Sequence, residues 1–151
     1  TEVTPWVANK IKTIKADGTI IDTIGLGAGV YDQLNNQGFY CVEGNFGLSA
    51  DDTNTFINKR AECYFRLSQS VKKGIIGLPQ DDELIEELVN ITFIYTENGK
   101  IKITPKEKIK EELGRSPDKA DALALTYFTT IHKELDSENY DDDYYSPPNL
   151  F

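Results

Sequence analysis

Asp118 and Asp121 lie three residues apart in the stretch Arg115-Ser116-Pro117-Asp118-Lys119-Ala120-Asp121. Serine is a residue type that caps helices and proline suits the first helical position. A helix starting at Ser116 puts the two acids on neighbouring positions of one face. Leu123, Ala124, Tyr127, Phe128, Ile131 and Leu135 continue at helical spacing as its buried stripe. Two carboxylates at the edge of a core can help to grip a hard divalent cation. Acids in a first turn also complement the helix dipole, so that bland explanation stands beside the first. A third acid, Asp22, directly follows Ile20 and Ile21 at the end of a short apolar strand. There it is costly unless paired, hydrogen-bonded or metal-bound, although a loop-facing Asp capping the next turn fits as well. An acid ending a strand, followed by two acids opening a helix, is more specific than any one of its parts. Asp22, Asp118 and Asp121 are the candidate metal ligands and catalytic residues.

Phosphodiester hydrolysis needs a basic rim beside such a site. Lys100, Lys102, Lys106, Lys108 and Lys110, with Arg115 and Lys119 beyond, form a positive concentration bordering the helix with the paired acids. The segment Asn58-Lys59-Arg60-Ala61-Glu62 offers Lys59 and Arg60 to phosphates, contacts that position nucleic acid without reading its sequence. The candidate DNA contacts are Lys59, Arg60, Lys106, Arg115 and Lys119. A solvated helix face and a lysine-rich surface explain the same residues without DNA. The run Gly25-Leu26-Gly27-Ala28-Gly29 follows a strand and precedes a helix, with Glu43 about 20 residues on, which approaches a dinucleotide-binding fingerprint. Its third glycine comes one position early, and Asp22 would set a charge beside the pyrophosphate. A tight strand-to-helix turn explains these glycines more simply.

These residues need a scaffold of mixed α and β elements. Thr4-Pro5 opens a helix to about residue 16, with Val7, Ala8, Ile11 and Ile14 on its inner side. A buried strand is expected over 19–22, a helix over 30–37 stopped by Gly38, and a strand over 39–43. An irregular loop over 44–52 leads to the longest helix, 53–73, with Phe56, Ile57, Cys63, Phe65, Leu67 and Val71 as its buried candidates. A short extended piece over 75–78 precedes a helix capped by Asp81 and reaching about residue 90. Segments 92–96 and 100–104 flank Glu97-Asn98-Gly99, a hairpin signal. A short helix over 106–113 comes before the last one.

The chain has 151 residues, 39% of them hydrophobic and 11% aromatic, enough for one globular domain with a real core. No apolar run approaches the length that spans a bilayer, and no signal peptide is expected. Cys41 and Cys63 fall in apolar patterns and read as buried free thiols of a reducing compartment. The single histidine, His132, late in the last helix, excludes a His-rich metal site and argues against a Ser-His-Asp triad. The net charge is −9, but residues 134–151 hold six acids and no Lys or Arg, leaving 19 acids and all 16 bases in residues 1–133. Residues 1–133 are therefore nearly neutral; the domain reads as 1–135, and 136–151 as an acidic, flexible tail. The opening at Thr1, without an initiator methionine, reads as a processed product or a fragment.

Three segments in order resemble one known family. They are Ile21-Asp22-Thr23-Ile24-Gly25-Leu26-Gly27-Ala28-Gly29-Val30-Tyr31-Asp32-Gln33-Leu34, then Asn58-Lys59-Arg60-Ala61-Glu62, then Lys106 with Gly114-Arg115-Ser116-Pro117-Asp118-Lys119-Ala120-Asp121-Ala122-Leu123. Together they resemble the C-terminal nuclease domain of phage terminase large subunits, over roughly residues 4–135. The resemblance implies an α/β, ribonuclease H-like mixed sheet flanked by helices. It also implies cleavage of concatemeric double-stranded DNA during genome packaging, with two Mg²⁺ or Mn²⁺ ions held by acidic residues. Asp22 matches the family's second catalytic acid, and Asp118 or Asp121, with a preference for Asp118, matches the acid of the C-terminal helix. The portal and the small terminase subunit are the implied partners, and the cytoplasm of a bacterial host carrying a phage or prophage is the implied location. The family's first three strands and first catalytic acid have no counterpart ahead of Asp22, since Asp17 belongs to a turn, and there is no Gly-x-x-x-x-Gly-Lys-Ser/Thr of an ATPase. The expectation is a fragment with weak or no cleavage. The alternatives are a catalytically dead structural or interaction module and, third, a Rossmann-like nucleotide-binding domain.

Overall fold

Two short apolar strands, β1 (Thr19–Asp22) and β2 (Cys41–Gly44), pair in parallel with Thr19 beside Cys41 and Asp22 beside Gly44. They belong to a computed structural model that describes residues 2–131. His132, Leu135 and the acidic stretch 136–151 lie outside the described residues. The parallel pair needs a crossover, and α2 (Gly27–Asn36) supplies it, while α1 (Val3–Ile14) packs on α2. The helix α2 starts three residues before the expected position, because Gly27 and Gly29 join its first turn instead of forming an open loop. Gly38, at φ +83°, takes the left-handed conformation that ends it. On α1 the inner stripe is Thr4 and Ala8, with Val7 and Ile11 packed partly against the same small core. Ile14, expected in that stripe, is 69% exposed in the last turn.

The longest helix, α3 (Lys59–Lys72), begins six residues later than its apolar pattern implied. The side chain of Asn58 accepts a hydrogen bond from the Ala61 amide at 2.9 Å, a cap that fixes the start. Phe56 before it is extended, because Ile101 claims the flanking backbone: Ile101 N donates to Thr55 O at 2.8 Å and Ile57 N to Ile101 O at 3.0 Å. Phe56 is therefore buried through strand-like pairing and not on a helix face, while Val71 is exposed. The extended piece expected over 75–78 forms no strand. Asp81 caps α4 (Asp82–Val89) by accepting from Leu84 N at 3.0 Å. The hairpin is present, with β3 (Phe93–Tyr95) antiparallel to β4 (Ile101–Ile103). The helix α5 (Lys106–Leu113) follows and ends at Gly114, at φ +74°.

The last described helix, α6 (Asp118–Leu125), differs most from expectation. Ser116 makes no cap; Pro117 stands at the cap position without a side-chain bond. The helix stops at Leu125, ten residues short of Leu135. The Thr126 hydroxyl donates to Leu123 O at 2.7 Å, and Thr126, Thr129 and Thr130 lower helix propensity there. Phe128 is still buried, from a turn, and Leu123 and Tyr127 are half-buried. The main core joins α3, α4, β4 and α6 through Tyr64, Leu67, Leu84, Ile103, Ala124 and Leu125. Leu125 rests against Gly44: a Cβ built on Gly44 would lie 3.0 Å from Leu125 Cδ1. That contact ties α6 to the residue paired with Asp22. Cys41 and Cys63 are buried free thiols, and burial pushes the Cys63 thiol up to about 11. Among the described residues no helix is long and apolar enough to cross a membrane.

Candidate functional site

A cleft of about 530 Å³ opens where the end of β1, the start of α3, the end of β4 and the first turns of α5 and α6 converge. Asp22, Asn58, Arg60, Lys102, Lys106 and Asp121 are its polar walls. Asp22 reaches the rim because β1 ends there: Thr23 N still donates to Gly44 O at 3.0 Å, after which the chain turns away. Its Oδ1 accepts from Ile24 N at 3.0 Å, so the carboxylate caps its own turn and remains exposed. Gly27 then passes so close that a Cβ there would lie 1.7 Å from the Asp22 carbonyl oxygen. Gly27 alone of the run is pressed onto the strand end, while Gly25 and Gly29 border open space. Glu43, the acid expected to meet a ribose, is exposed on β2.

Asp121 enters from the other side, with its side chain 12% exposed. It accepts the Tyr64 hydroxyl at 2.6 Å and is ion-paired with the Lys106 ammonium at 2.7 Å, and Arg60 Nη2 lies 3.8 Å away. Arg60 is fixed by donating from Nη1 to Thr104 O at 3.1 Å and by lying over the Tyr64 ring at 5.2 Å. Burial and then the Asp121 charge raise the Tyr64 phenol well above its ordinary range, so it keeps its proton and donates. With three cationic and two anionic side chains on its walls, the cleft carries one net positive charge. Asp118, by contrast, is exposed on the first turn of α6 and does not border the cleft.

The basic candidates separate in the same way. Arg60 and Lys106 line the cleft, joined by Lys102 from the hairpin. Lys59 is buried in ion pairs with Asp51 at 2.7 Å and Glu62 at 3.4 Å, and its ammonium faces the Phe128 ring. Arg115 is held by Glu83, Glu86 and Glu87, and Lys119 by Asp81 and Glu83. Tyr64 and Glu87 were not singled out from the sequence. Tyr64 follows Arg60 by four residues, one helical turn, and that spacing was the available signal. Nothing local to Glu87 marks its partner, because Ala120 lies 33 residues away.

Asp22 and Asp121 are the acids that border the cleft. Two carboxylates on one cleft suit an Mg²⁺-like ion that keeps most of its waters. Among the described residues no group of three or more His, Cys, Asp or Glu could hold a metal, so the set for two ions is not assembled there.

No protein-family model and no curated protein matches the chain. Solved structures do. A point mutant of the nuclease domain of the large terminase subunit gp2 of bacterial virus Sf6, solved with manganese and beta-thujaplicinol, matches with a TM-score of 0.67. It is 24% identical over 85% of this chain and 72% of that one. The Sf6 domain without that mutation gives a TM-score of 0.62 at 24% identity, covering 84% of this chain and 71% of that one. The mutant solved with calcium gives 0.61 at the same identity and coverage. The chain, with its strand–helix–strand crossover, hairpin and acid-bearing last described helix, therefore shares the α/β, ribonuclease H-like fold of these nuclease domains.

Proposed function

We propose that the chain is a divalent-metal-dependent nuclease module of the large-terminase type, with Asp22 and Asp121 as ligands of a hard cation, Mg²⁺ or Mn²⁺. The observation that carries this reading is the meeting of these two acids on one basic-walled cleft, although 99 positions separate them in the chain. When bound, the cation supplies Lewis-acid charge and lowers the pKa of a coordinated water. The protein's own residues orient the ligands and receive the backbone: Lys102 and Lys106 face phosphates, and Asn58 and Ile24 close the cleft around them. The substrate is double-stranded DNA, concatemeric in a phage or prophage packaging system inside a bacterial host cell, with the portal and small terminase subunit as partners. Asp118, on the same first turn but outside the cleft, is the lesser candidate.

Because no group of three or more His, Cys, Asp or Glu among the described residues could hold a metal, cleavage by this chain alone is expected to be weak or nil. Incubation of supercoiled plasmid with Mg²⁺ or Mn²⁺ tests this. Robust nicking that Asp22→Ala abolishes would refute the weak-activity reading. A binding module that docks DNA without cutting it is the second reading. It is favoured by the net positive charge of the cleft and by the pairing of Asp121 with Lys106. Duplex binding in chelator, undiminished by Asp22→Asn, supports that alternative over the nuclease.

A further inference from the structure

The two oxygens of Asp121 are held differently. Oδ1 accepts the Tyr64 hydroxyl at 2.6 Å and lies 3.8 Å from Arg60 Nη2, both from α3. Oδ2 meets Lys106 Nζ at 2.7 Å, on the cleft side. Tyr64 is 3% exposed and belongs to the main core, where its ring also packs near Phe46. The Arg60 side chain is 13% exposed and is anchored on Thr104 O, whereas that of Lys106 is 41% exposed. Oδ1 is therefore fastened by groups that cannot leave without opening the core. Oδ2 faces a lysine whose side chain is partly exposed at the cleft and is not part of the core.

We propose that Tyr64 is a positioning and specificity-determining residue: by holding Oδ1 it turns Asp121 so that Oδ2 alone is offered to a cation in the cleft. This rests on the reading of Asp22 and Asp121 as ligands of a hard cation. A one-oxygen carboxylate suits the small octahedral ions Mg²⁺ and Mn²⁺, while Ca²⁺ accepts two-oxygen chelation and a looser shell. The Tyr64 hydroxyl thereby favours the smaller ions. Ligand-orienting partners of this kind typically govern metal affinity by about tenfold or more.

Tyr64→Phe keeps the ring and removes only the hydroxyl. Mn²⁺ affinity is measured by electron paramagnetic resonance and Ca²⁺ affinity by calorimetry, on the whole chain and on this variant, with melting temperature as the check on folding. The expected result is Mn²⁺ binding weakened about tenfold with Ca²⁺ binding much less affected, so that the preference between the two ions shifts. Unchanged Mn²⁺ affinity, or a parallel loss for both ions, overturns the proposal while leaving the cation site standing. Absence of Mn²⁺ binding by the unaltered chain overturns the cation reading itself and the proposal with it. If Tyr64→Phe loses its cooperative melting transition, Arg60→Lys carries the test. It keeps the charge but not the guanidinium plane over the Tyr64 ring, and a weakened Mn²⁺ preference is again expected. An unchanged preference again overturns the proposal.

Discussion

Glu87 Oε2 accepts a hydrogen bond from the Ala120 amide at 2.7 Å, so a buried carboxylate of α4 caps the helix that carries Asp121. Ala120 is the third residue of α6, where a helix commonly seeks a side-chain acceptor. Glu87 supplies it from another element because Ser116 and Pro117 do not. The other oxygen of Glu87 is paired with Arg115, which makes the charge tolerable at 1% exposure. This one carboxylate thus sets both the start of α6 and the distance between α6 and α4.

Removing Glu87 is expected to be costly. Glu87→Ala leaves the Ala120 amide without its acceptor and Arg115 with Glu83 and Glu86 alone, and an unsatisfied buried donor typically costs about 1–3 kcal/mol. Glu87→Gln keeps an acceptor for Ala120 and should cost clearly less. Urea denaturation of the two variants checks the order. A loss below about 1 kcal/mol for Glu87→Ala, the level of an exposed pair, contradicts the structural role given to it.

The glycine run gives a paired test. A Cβ at Gly27 would lie 1.7 Å from the Asp22 carbonyl oxygen, while one at Gly29 meets nothing within 4 Å. Gly27→Ala is expected to destabilise by about 1–3 kcal/mol or more through forced backbone movement, and to displace Asp22 from the cleft. Gly29→Ala, in the first turn of the same helix, should be neutral or mildly stabilising. Thermal melts of both check this: equal melting temperatures for the two variants contradict the close approach of Gly27 to the strand end.

The acid limb of stability should depend on Lys119. Its hydrogen bonds to Asp81 and Glu83 hold both carboxyls below their ordinary range. Groups depressed in the folded state stabilise it above the unfolded carboxylate range, about pH 4, and that contribution is lost as pH falls through the folded values. The same bonds raise the Lys119 ammonium, so its own loss of stabilisation lies far on the alkaline side. Lys119→Met is expected to flatten the fall of melting temperature below about pH 4, by a small amount because the groups are exposed. An unaltered acid limb contradicts this assignment.

Much of this fold was legible because local rules and tertiary structure agree. The strand 19–22, the Asp81 cap, the hairpin around Asn98-Gly99 and the helix 106–113 stand where pattern and capping chemistry put them. The mismatches arise where a distant residue decides. Ile101 draws Phe56 out of the long helix, the threonines after Leu125 end α6 early, and Glu87 replaces Ser116 as the cap. The site follows the same division. Asp22 could be marked as a strand-end acid from its own neighbourhood. The choice between Asp121 and Asp118 depends on the rotation of α6, and that is set by Glu87, Tyr64 and Leu125 on other elements or in the core. For the same reason Lys59, Arg115 and Lys119 looked available to DNA in the sequence and are engaged by acids in the fold.

Asp22 and Asp121 are the proposed ligands of one divalent cation. Titration of Mn²⁺ against the chain by electron paramagnetic resonance, with Asp22→Asn, Asp121→Asn and Asp118→Asn alongside, tests this most directly. Saturable binding is expected for the unaltered chain, lost in Asp22→Asn and Asp121→Asn and kept in Asp118→Asn. Binding that survives Asp121→Asn but not Asp118→Asn, or no binding at all by the unaltered chain, contradicts it.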